Sequence, residues 1–353
     1  MRIIISLLAI VMSCSYCCAQ IPQFAVVRPD GTTYICPSFD SAYNKAVNGD
    51  NIYLPGGNFS LSNPISKSLH IFGAGYNQDS SMATNITTLN SLTIVQGGDG
   101  GSIEGVLINR INPNTAGVIF GDNLNQTPFS NYTIKYCYIA GSIRFSMPSS
   151  NITIRNNYFG YAYAYGGTSI SGAISNSFIS NNIIIGSDLS SENPNAYLQV
   201  SNNIFFWYTN QGAIAFSFAS QSTYQNNIFQ TGSVQWFSQN SNFYNNTNGY
   251  PSGLGNIYAG TTFELFDGTF ITPGPLNPWG WHDYDVHNDY HIKPSSLCKN
   301  SGTDGTDRGI YGGTFPWKEG SVPSNPHIYF KQVTQQTNNS GQLQIQFKVR
   351  TEN

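Results

Sequence analysis

A short pattern of apolar and polar positions recurs through the middle of the chain. It runs apolar, polar, Asn, Asn, any residue, apolar, and it is closest at residues 154–159, 179–184, 200–205 and 224–229. A degenerate copy occupies residues 243–246, and residues 134–139 are an earlier copy without the asparagine pair. Counted at its third position from Tyr136, the pattern recurs after 20, 25, 21, 24 and 19 residues. A repeat of this length is typical of proteins built from stacked units.

The length of the repeat predicts the architecture of each unit. Three short strands joined by three turns need about 20 to 25 residues, and each strand presents apolar side chains to one side. One such coil cannot bury its apolar side alone, whereas coils stacked at about 4.8 Å bury it continuously. We therefore predict an all-β fold, a parallel β-helix of about ten coils.

The asparagine pairs are predicted to mark a corner between two strands. Asparagine tolerates the left-handed backbone conformation, and its amide can bond the equivalent amide in the coils above and below. A stacked column satisfies amides whose burial would otherwise be unfavourable. We predict such a structural ladder at Asn156, Asn181, Asn202, Asn226 and Asn245. Sugar binding by the same amides is the alternative.

The start of the body predicts a short helix near residues 38–48. Ser38 has the side chain of an N-cap, and Asn48 with Gly49 would end the helix. Four apolar residues fall on one face of this helix: Phe39, Tyr43, Ala46 and Val47. The helix would cover the open end of the first coil, whose apolar interior needs a lid.

The last part of the chain, residues 319–353, is predicted to be a β tail. Four apolar residues alternate there with Gln and Lys, as in a half-buried strand: Leu343, Ile345, Phe347 and Val349. Ile328 and Phe330 belong to a segment that can pair with this strand as a hairpin. We expect the hairpin to cap the C-terminal end of the coils or to lie against their flank.

Two segments at the start of the coils resemble a known family. Residues 49–59 contain Gly-Asp, an apolar strand and a Pro-Gly turn, and residues 65–75 contain a strand that ends in Gly-Ala-Gly. After a capping helix, this order is similar to the first coils of the pectate-lyase-like superfamily of right-handed parallel β-helices. The resemblance covers residues 39–75 by motif and extends to about residue 270 by repeat. Residues 289–313 also resemble the closing segment of many bacterial secreted β-helix proteins. The resemblance implies a right-handed β-helix but no single activity, because the superfamily contains lyases, hydrolases, esterases, adhesins and phage spikes.

Residues 1–19 have the layout of an export signal. Arg2 provides a positive start, residues 3–12 form a short apolar run, and small residues lead to Ala19. That run is too short to span a bilayer, which needs about 20 apolar residues. We predict cleavage after Ala19, a β-helix domain over residues 20–318, and a secreted or extracytoplasmic protein without a transmembrane segment. A lipid anchor on Cys14 is the alternative.

The composition of the chain argues against nucleic acid as a partner. Charged residues make up 9% of the chain and the formal net charge is −3, so there is no basic footprint for nucleic acid. Asn, Ser, Thr, Gln and Gly provide the polarity instead, beside 22 Tyr and 22 Phe. Outside the export signal the cysteines are Cys36, Cys137 and Cys298, an odd number that does not form a disulfide framework. We expect a monomer, with Cys137 as a small buried apolar residue.

The chain has no carboxylate cluster of the kind that acidic β-helix hydrolases need. Its coils contain dispersed carboxylates, without an Asp pair beside a His: Glu104, Asp122, Asp188, Glu192 and Glu264. A polysaccharide lyase needs a cation and a Lys or Arg base. Aligning the repeats places Lys135 and Arg155 at the same outward position of neighbouring coils and leaves the register of Arg144 open. Lys135 and Arg155 are the candidate catalytic pair. The alternative is a surface ion pair between Lys135 and Glu104, which the alignment places in the coil before.

Two segments have side chains that can bind a metal ion. Residues 282–291 hold three His and three Asp, but their spacing matches no metal motif. Asp304 and Asp307 are spaced like part of a calcium loop without the rest of the ligand series, so we predict a turn stabilised by aspartate. We therefore predict no metal and no cofactor, and calcium is the one ion left open.

Aromatic residues offer the other candidate surface. Tyr161 and Tyr163 lie in a Gly-flanked loop after the first asparagine pair, and Trp207 follows the third pair. Such rings stack on the faces of sugars, although alternation turns half of any such set toward the core. The sequence thus favours an exported protein that binds polysaccharide or a cell-surface glycan through aromatic loops and asparagine-rich faces. A polysaccharide lyase and a structural or adhesive envelope protein are the alternatives.

Overall fold

A computed structural model of the chain describes residues 22–109, 116–121, 127–160, 170–185, 189, 191–206, 214–217, 219–230, 234–237, 242–244, 289–324, 326–334 and 336–350. Over these residues the fold is all-β, with a single α-helix, α1, at Phe39–Lys45 and a short 3-10 helix at Glu319–Ser321. No helix in this part of the chain is long and apolar enough to cross a membrane.

The strands are short, and most of them span two to four residues. In chain order they are β1 Phe24–Val27, β2 Thr33–Cys36, β3 Asn51–Tyr53, β4 Gly57–Phe59, β5 His70–Phe72, β6 Thr87–Leu89, β7 Leu92–Ile94, β8 Ser102–Glu104, β9 Leu107–Ile108, β10 Val118–Phe120, β11 Phe129–Ser130, β12 Thr133–Lys135, β13 Tyr138–Ile139, β14 Ile143–Ser150, β15 Thr153–Arg155, β16 Tyr158–Phe159, β17 Ile170–Ser175, β18 Phe178–Ser180, β19 Ile183–Ile185, β20 Gln199–Ser201, β21 Ile204–Phe206, β22 Ile214–Ser217, β23 Thr223–Gln225, β24 Ile228–Gln230, β25 Val234–Phe237, β26 Asn242–Tyr244, β27 His327–Val333 and β28 Ile345–Arg350.

Three large sheets contain most of these strands. Sheet A has eleven strands in the order β2-β1-β3-β5-β8-β12-β15-β18-β20-β23-β26, and sheet B has eight in the order β24-β21-β19-β16-β13-β9-β6-β4. Sheet C has five strands, β11-β14-β10-β7 with β17 paired to β14. Strand pairing is parallel in sheets B and C and in sheet A from β3 onward, whereas β1 pairs antiparallel with β2 and β3.

The chain visits the three sheets in turn, and equivalent residues come into register. It passes from β12 to β13 and β14, which belong to sheets A, B and C, and then returns to sheet A at β15. In sheet A, Ile134 lies opposite Ile154, Ile154 opposite Ile179, and Ile179 opposite Val200. Residues one sequence repeat apart are therefore direct neighbours, as predicted, and the long parallel sheets are compatible with a parallel β-helix.

The middle residue of each short strand in sheet A points into the core. These residues are fully buried from β3 to β23: Ile52, Ile71, Ile103, Ile134, Ile154, Ile179, Val200 and Tyr224. Their neighbours on either side are mostly only partly buried, so the alternation along each strand separates an inner from an outer face. Burying one aliphatic side chain contributes about 1.5–3 kcal/mol. The stacked column therefore explains why the strands stay together although each is very short.

The predicted N-terminal helix is present but shorter than the sequence pattern indicates. The Ser38 side chain accepts a hydrogen bond from the Ser41 amide at 3.1 Å, as an N-cap does. Phe39 is buried, and its ring is stacked at 6.2 Å on Phe24 of β1. Ala46 has an extended backbone and ends the helix, so Val47 is half exposed instead of lying on the buried helical face.

The tail forms the predicted hairpin, but its strands are not half-buried. Strands β27 and β28 pair antiparallel, and Ile345 and Phe347 remain 61% and 62% exposed. Alternation in a sequence shows which residues share a face of a strand. It does not show whether another layer covers that face.

The cysteines at positions 36, 137 and 298 form no disulfide among the described residues and are buried. Burial raises the pKa of the Cys137 thiol to about 12, chiefly because a thiolate would lose its solvation there. At pH 8 the thiolate population is therefore far below that of an ordinary cysteine. We expect iodoacetamide to leave Cys137 unlabelled in the folded protein and to label it fully in urea, as measured by peptide mass mapping. Rapid labelling of the folded protein would contradict its buried position.

Candidate functional site

The outer face of sheet A carries one side chain from each successive strand in register. The last residue of each strand from β3 to β23 points outward, and these residues form one in-register column: Tyr53, Phe72, Glu104, Lys135, Arg155, Ser180, Ser201 and Gln225. Along the column the chemistry changes from aromatic to charged and then to hydroxyl and amide. Neighbours in such a column lie about 4.8 Å apart, so their side chains can act on one ligand together.

The asparagine corners border this column. The first asparagine of each pair has a left-handed backbone, with φ of 54°, 54°, 57° and 57° at Asn156, Asn181, Asn202 and Asn226. Asparagine adopts this conformation more readily than most residues, and it turns the chain from sheet A toward sheet B. The corner role that the sequence predicts for these residues is therefore present in all four.

The hydrogen-bonded ladder runs through the second asparagine of each pair, which corrects the sequence-based prediction by one residue. Asn182 shows the pattern: its Nδ2 donates to Asn203 Oδ1 and to the Ile154 carbonyl, both at 2.9 Å. Its Oδ1 accepts from the backbone N and from the Nδ2 of Asn157, at 2.9 and 3.1 Å. The same bonds continue from Asn203 to Asn227. The left-handed residue directs its own side chain outward, so the residue that follows it points inward. Asn245 lies outside the described residues.

The first asparagines instead bind a later part of the chain, which we call the returning segment (residues 300–324). Asn156 Nδ2 donates to the carbonyl of Phe315 at 3.1 Å, and Asn181 Nδ2 donates to the carbonyls of Ile310 and Gly312 at 2.8 Å. The side chain of Asn226 donates to the Thr303 hydroxyl and accepts from the Thr303 amide, both at 3.0 Å. These bonds hold the returning segment along the C-terminal ends of the sheet A strands.

Asn202 is the exception among the four first asparagines. Its side chain is buried beside Gly312 and Gly313, and its Nδ2 has no hydrogen-bond partner among the described residues. An unpaired buried donor costs about 1–3 kcal/mol, so this amide lowers the stability of the corner.

Glu104 and Lys135 form the ion pair that the sequence alternative predicts, but the pair is not a surface pair. Lys135 Nζ lies 2.9 Å from Glu104 Oε2, with the carboxylate side chain 1% exposed and the lysine 18% exposed. Ser324 of the returning segment covers the pair. Its amide and hydroxyl donate to Glu104 Oε1, and its hydroxyl accepts from Lys135 Nζ at 3.0 Å.

Arg155 follows Lys135 in the column, as the alignment of the repeats predicts. Its guanidinium carbon lies 4.3 Å from the centre of the Phe315 ring in the returning segment, a cation–π arrangement. Arg144 does not join the two cations, because it lies on β14 of sheet C, opposite Ile119 and Ser171. The structure thus brings Lys135 and Arg155 together but engages both with the returning segment.

A groove of about 540 Å³ opens between sheet A and the returning segment. Arg155 lies at one end and Gln225 at the other, and the rings of Phe178 and Phe315 are each 49% exposed beside it. The lining is mostly hydroxyl, amide and aromatic: Thr153, Arg155, Phe178, Ser180, Asn181, Ser201, Asn202, Gln225, Asn226, Thr303, Asp304, Gly313, Thr314 and Phe315. Sequence patterns alone miss this groove, since one of its walls comes from a segment far away in the chain.

Several residues proposed from the sequence lie outside the described part of the chain, namely Tyr161, Tyr163, Trp207 and residues 282–288. Asp304 accepts hydrogen bonds from the amide and hydroxyl of Thr306, at 3.0 and 2.6 Å, which is the role of an aspartate that stabilises a turn. Asp289 accepts a bond from the His291 ring at 2.6 Å. Within the described ranges, no group of three or more His, Cys, Asp or Glu side chains is arranged to hold a metal ion.

Neither a scan against protein-family models nor a search of the curated proteins finds a significant match to this chain. The class of the protein is therefore defined by its fold and its site. It is an all-β protein of long parallel sheets, with a polar groove between the outer face of its largest sheet and a returning segment.

Proposed function

We propose that this chain is an exported right-handed parallel β-helix protein of the pectate-lyase-like superfamily and that it binds a polysaccharide in the groove beside Arg155. The fold proposal is supported by three sheets that the chain visits in turn and by the Gly-Asp, Pro-Gly and Gly-Ala-Gly motifs of residues 49–75. Export is supported by the layout of residues 1–19. The mass of the N-terminal peptide of the mature protein distinguishes cleavage before Gln20 from a lipid on Cys14.

The observation that carries the binding proposal is the composition and length of the groove. Arg155, Ser180, Ser201 and Gln225 are successive neighbours in the outer column, so they span about 14 Å at a spacing of about 4.8 Å. Hydroxyl and amide groups that repeat at this spacing suit a ligand that is itself a chain of similar polar units. The exposed rings of Phe178 and Phe315 add apolar area that can pack on the faces of sugar rings.

The hydrogen bonds made by Lys135, the candidate base, favour binding of polysaccharide over its cleavage. A lyase base must face the substrate with a free lone pair, whereas Lys135 Nζ donates to Glu104 and Ser324 under the returning segment. Both carboxylate oxygens of Glu104 are likewise engaged. Among the residues that line the groove, Asp304 is the single carboxylate, and it accepts the two bonds from Thr306.

We expect Phe178→Ala to weaken retention on a polysaccharide panel about five- to ten-fold, because the variant loses one stacking platform. Retention can be measured by affinity electrophoresis on soluble polysaccharides of different charge and linkage. Phe330→Ala is the matched control, since Phe330 is also an exposed ring but lies on β27, away from the groove.

A second pair of variants separates ligand binding from stability. Asn202→Gly keeps the left-handed backbone and removes a groove-lining side chain whose Nδ2 has no partner among the described residues, so we expect about five-fold weaker retention without a loss of stability. Asn181→Gly removes two bonds to the returning segment and is expected to lower stability by about 1–3 kcal/mol. If neither Phe178→Ala nor Asn202→Gly weakened retention, the groove would not be the polysaccharide-binding site. Polysaccharide cleavage that depends on Lys135 would instead support the lyase alternative.

A further inference from the structure

The terminal hairpin concentrates the exposed apolar side chains of the described structure. Seven of the fourteen exposed large hydrophobic residues lie within residues 329–349: Tyr329, Phe330, Val333, Leu343, Ile345, Phe347 and Val349. A two-stranded sheet is marginal in water on its own, and contiguous exposed apolar area on a protein marks a surface that contacts something else. The exposed apolar surface of this hairpin is therefore expected to contact something other than the ligand of the groove beside Arg155.

Strand register shows that both faces of the hairpin combine apolar and cationic side chains. On one face Phe347 lies opposite Lys331, and Ile345 lies opposite Val333. On the other face Phe330 lies opposite Lys348, and the Lys348 ammonium is 5.3 Å from the centre of the Phe330 ring. A protein partner on one face would leave the other face in water, whereas a lipid interface can take in both faces of a thin hairpin.

The hairpin face that contains Ile345 and Phe347 lies opposite strands β3 and β5 of sheet A, with open space between them. A cavity of about 690 Å³ separates Ile345 and Phe347 from Tyr53, Leu54 and Phe72. Among the described residues of the lining, Lys331 is the single Lys or Arg, and none is a carboxylate. Ile345 and Phe347 thus give one wall of this space an apolar surface, Gln23, Thr84 and Asn85 add polar groups, and Lys331 provides a cation that can pair with an anionic headgroup.

The charge of the hairpin is opposite to that of the chain as a whole. Residues 327–350 contain Lys331, Lys348 and Arg350 but neither Asp nor Glu, whereas the whole chain has a formal net charge of −3. Two copies of such a surface repel each other, which argues against a second copy as the partner. Cations beside exposed rings are instead the combination that binds anionic headgroups and the apolar layer beneath them.

We propose that the β27–β28 hairpin docks the protein on an anionic lipid bilayer. Phe347, Ile345 and Phe330 enter the interface, and Lys331 and Lys348 pair with lipid phosphates. This surface is separate from the groove beside Arg155, so the two proposals can fail independently.

Cosedimentation of residues 20–353, the chain without the proposed export signal, with vesicles tests this docking. We expect binding to phosphatidylcholine vesicles that contain phosphatidylglycerol, with several-fold weaker binding to phosphatidylcholine alone and a decrease as salt is added. Lys348→Gln should weaken binding about five-fold and Phe347→Ser about ten-fold. The controls are Lys45→Gln and Phe178→Ala, which remove an exposed cation and an exposed ring elsewhere.

Each other outcome overturns the docking proposal. Equal binding by the wild type and Phe347→Ser would show that the hairpin is not the lipid contact. A dimer in light scattering that Phe347→Ser dissociates, without vesicle binding, would assign the surface to a second copy. Retention on immobilised polyglutamate that depends on Phe347, again without vesicle binding, would assign it to an acidic protein. Since the substituted side chains are exposed, thermal unfolding should be unchanged in all variants.

Discussion

Replacing Asn182 with alanine should lower the free energy of unfolding by about 3 kcal/mol or more. The Asn182 side chain is fully buried and exchanges hydrogen bonds with Asn157, Asn203 and the Ile154 carbonyl. Its removal leaves the Asn157 amide and the Ile154 carbonyl without these partners inside the core. Each unsatisfied buried group costs about 1–3 kcal/mol. Urea unfolding followed by far-UV circular dichroism measures the change.

The control for this experiment is Asn58→Ala. Asn58 also belongs to a strand, β4, but its side chain is exposed, so the expected change is within about 0.5 kcal/mol. If Asn182→Ala were as mild as Asn58→Ala, the ladder through the second asparagines would contribute nothing to stability.

Replacing Lys135 with methionine should destabilise the protein by about 3 kcal/mol. The Glu104 carboxylate is 1% exposed, and without the lysine it would be a buried charge with only the Ser324 amide and hydroxyl as partners. Removing one partner of a buried ion pair is strongly destabilising for this reason. The partial exposure of Lys135 places the expected loss at the lower end of the usual range, about 3–5 kcal/mol.

The matched control is Lys299→Met, since Lys299 pairs with Asp307 at a similar distance of 2.8 Å but is 40% exposed. Pairs at the surface contribute about 0–1 kcal/mol, so this variant should be nearly neutral. Adding Glu104→Gln to Lys135→Met removes the buried charge and should restore at least half of the lost stability. A double variant as unstable as Lys135→Met would mean that the loss comes from packing and not from charge.

Much of the architecture could be predicted from local patterns. The interval between asparagine pairs predicted which residues become neighbours, and Ile154 does lie opposite Ile179. The same alignment placed Lys135 beside Arg155 and Glu104. Each of these predictions rests on residues of adjacent repeats, whose pairing is fixed because a slip of one residue would expose the apolar column.

Predictions that required knowledge of side-chain direction were less accurate. The ladder was placed on Asn181, whereas it runs through Asn182, because the left-handed backbone at the corner changes which of the two amides points inward. The ion pair of Glu104 with Lys135 was expected at the surface, but Ser324 covers it. In both cases the residue types in the sequence pointed to the correct interaction. The direction and the burial of the side chains could not be predicted, because they depend on the three-dimensional structure.

The sequence by itself determined the repeat, the stacking of the strands and the corners, because these depend on contacts between segments about one repeat apart. Only the tertiary structure decided where the groove lies and which polar groups remain available within it. Those features depend on contacts such as Asn226 with Thr303, 77 residues apart, and Glu104 with Ser324, 220 residues apart. No local pattern encodes the path by which a chain returns over its own surface, since that path is set by the packing of the completed fold.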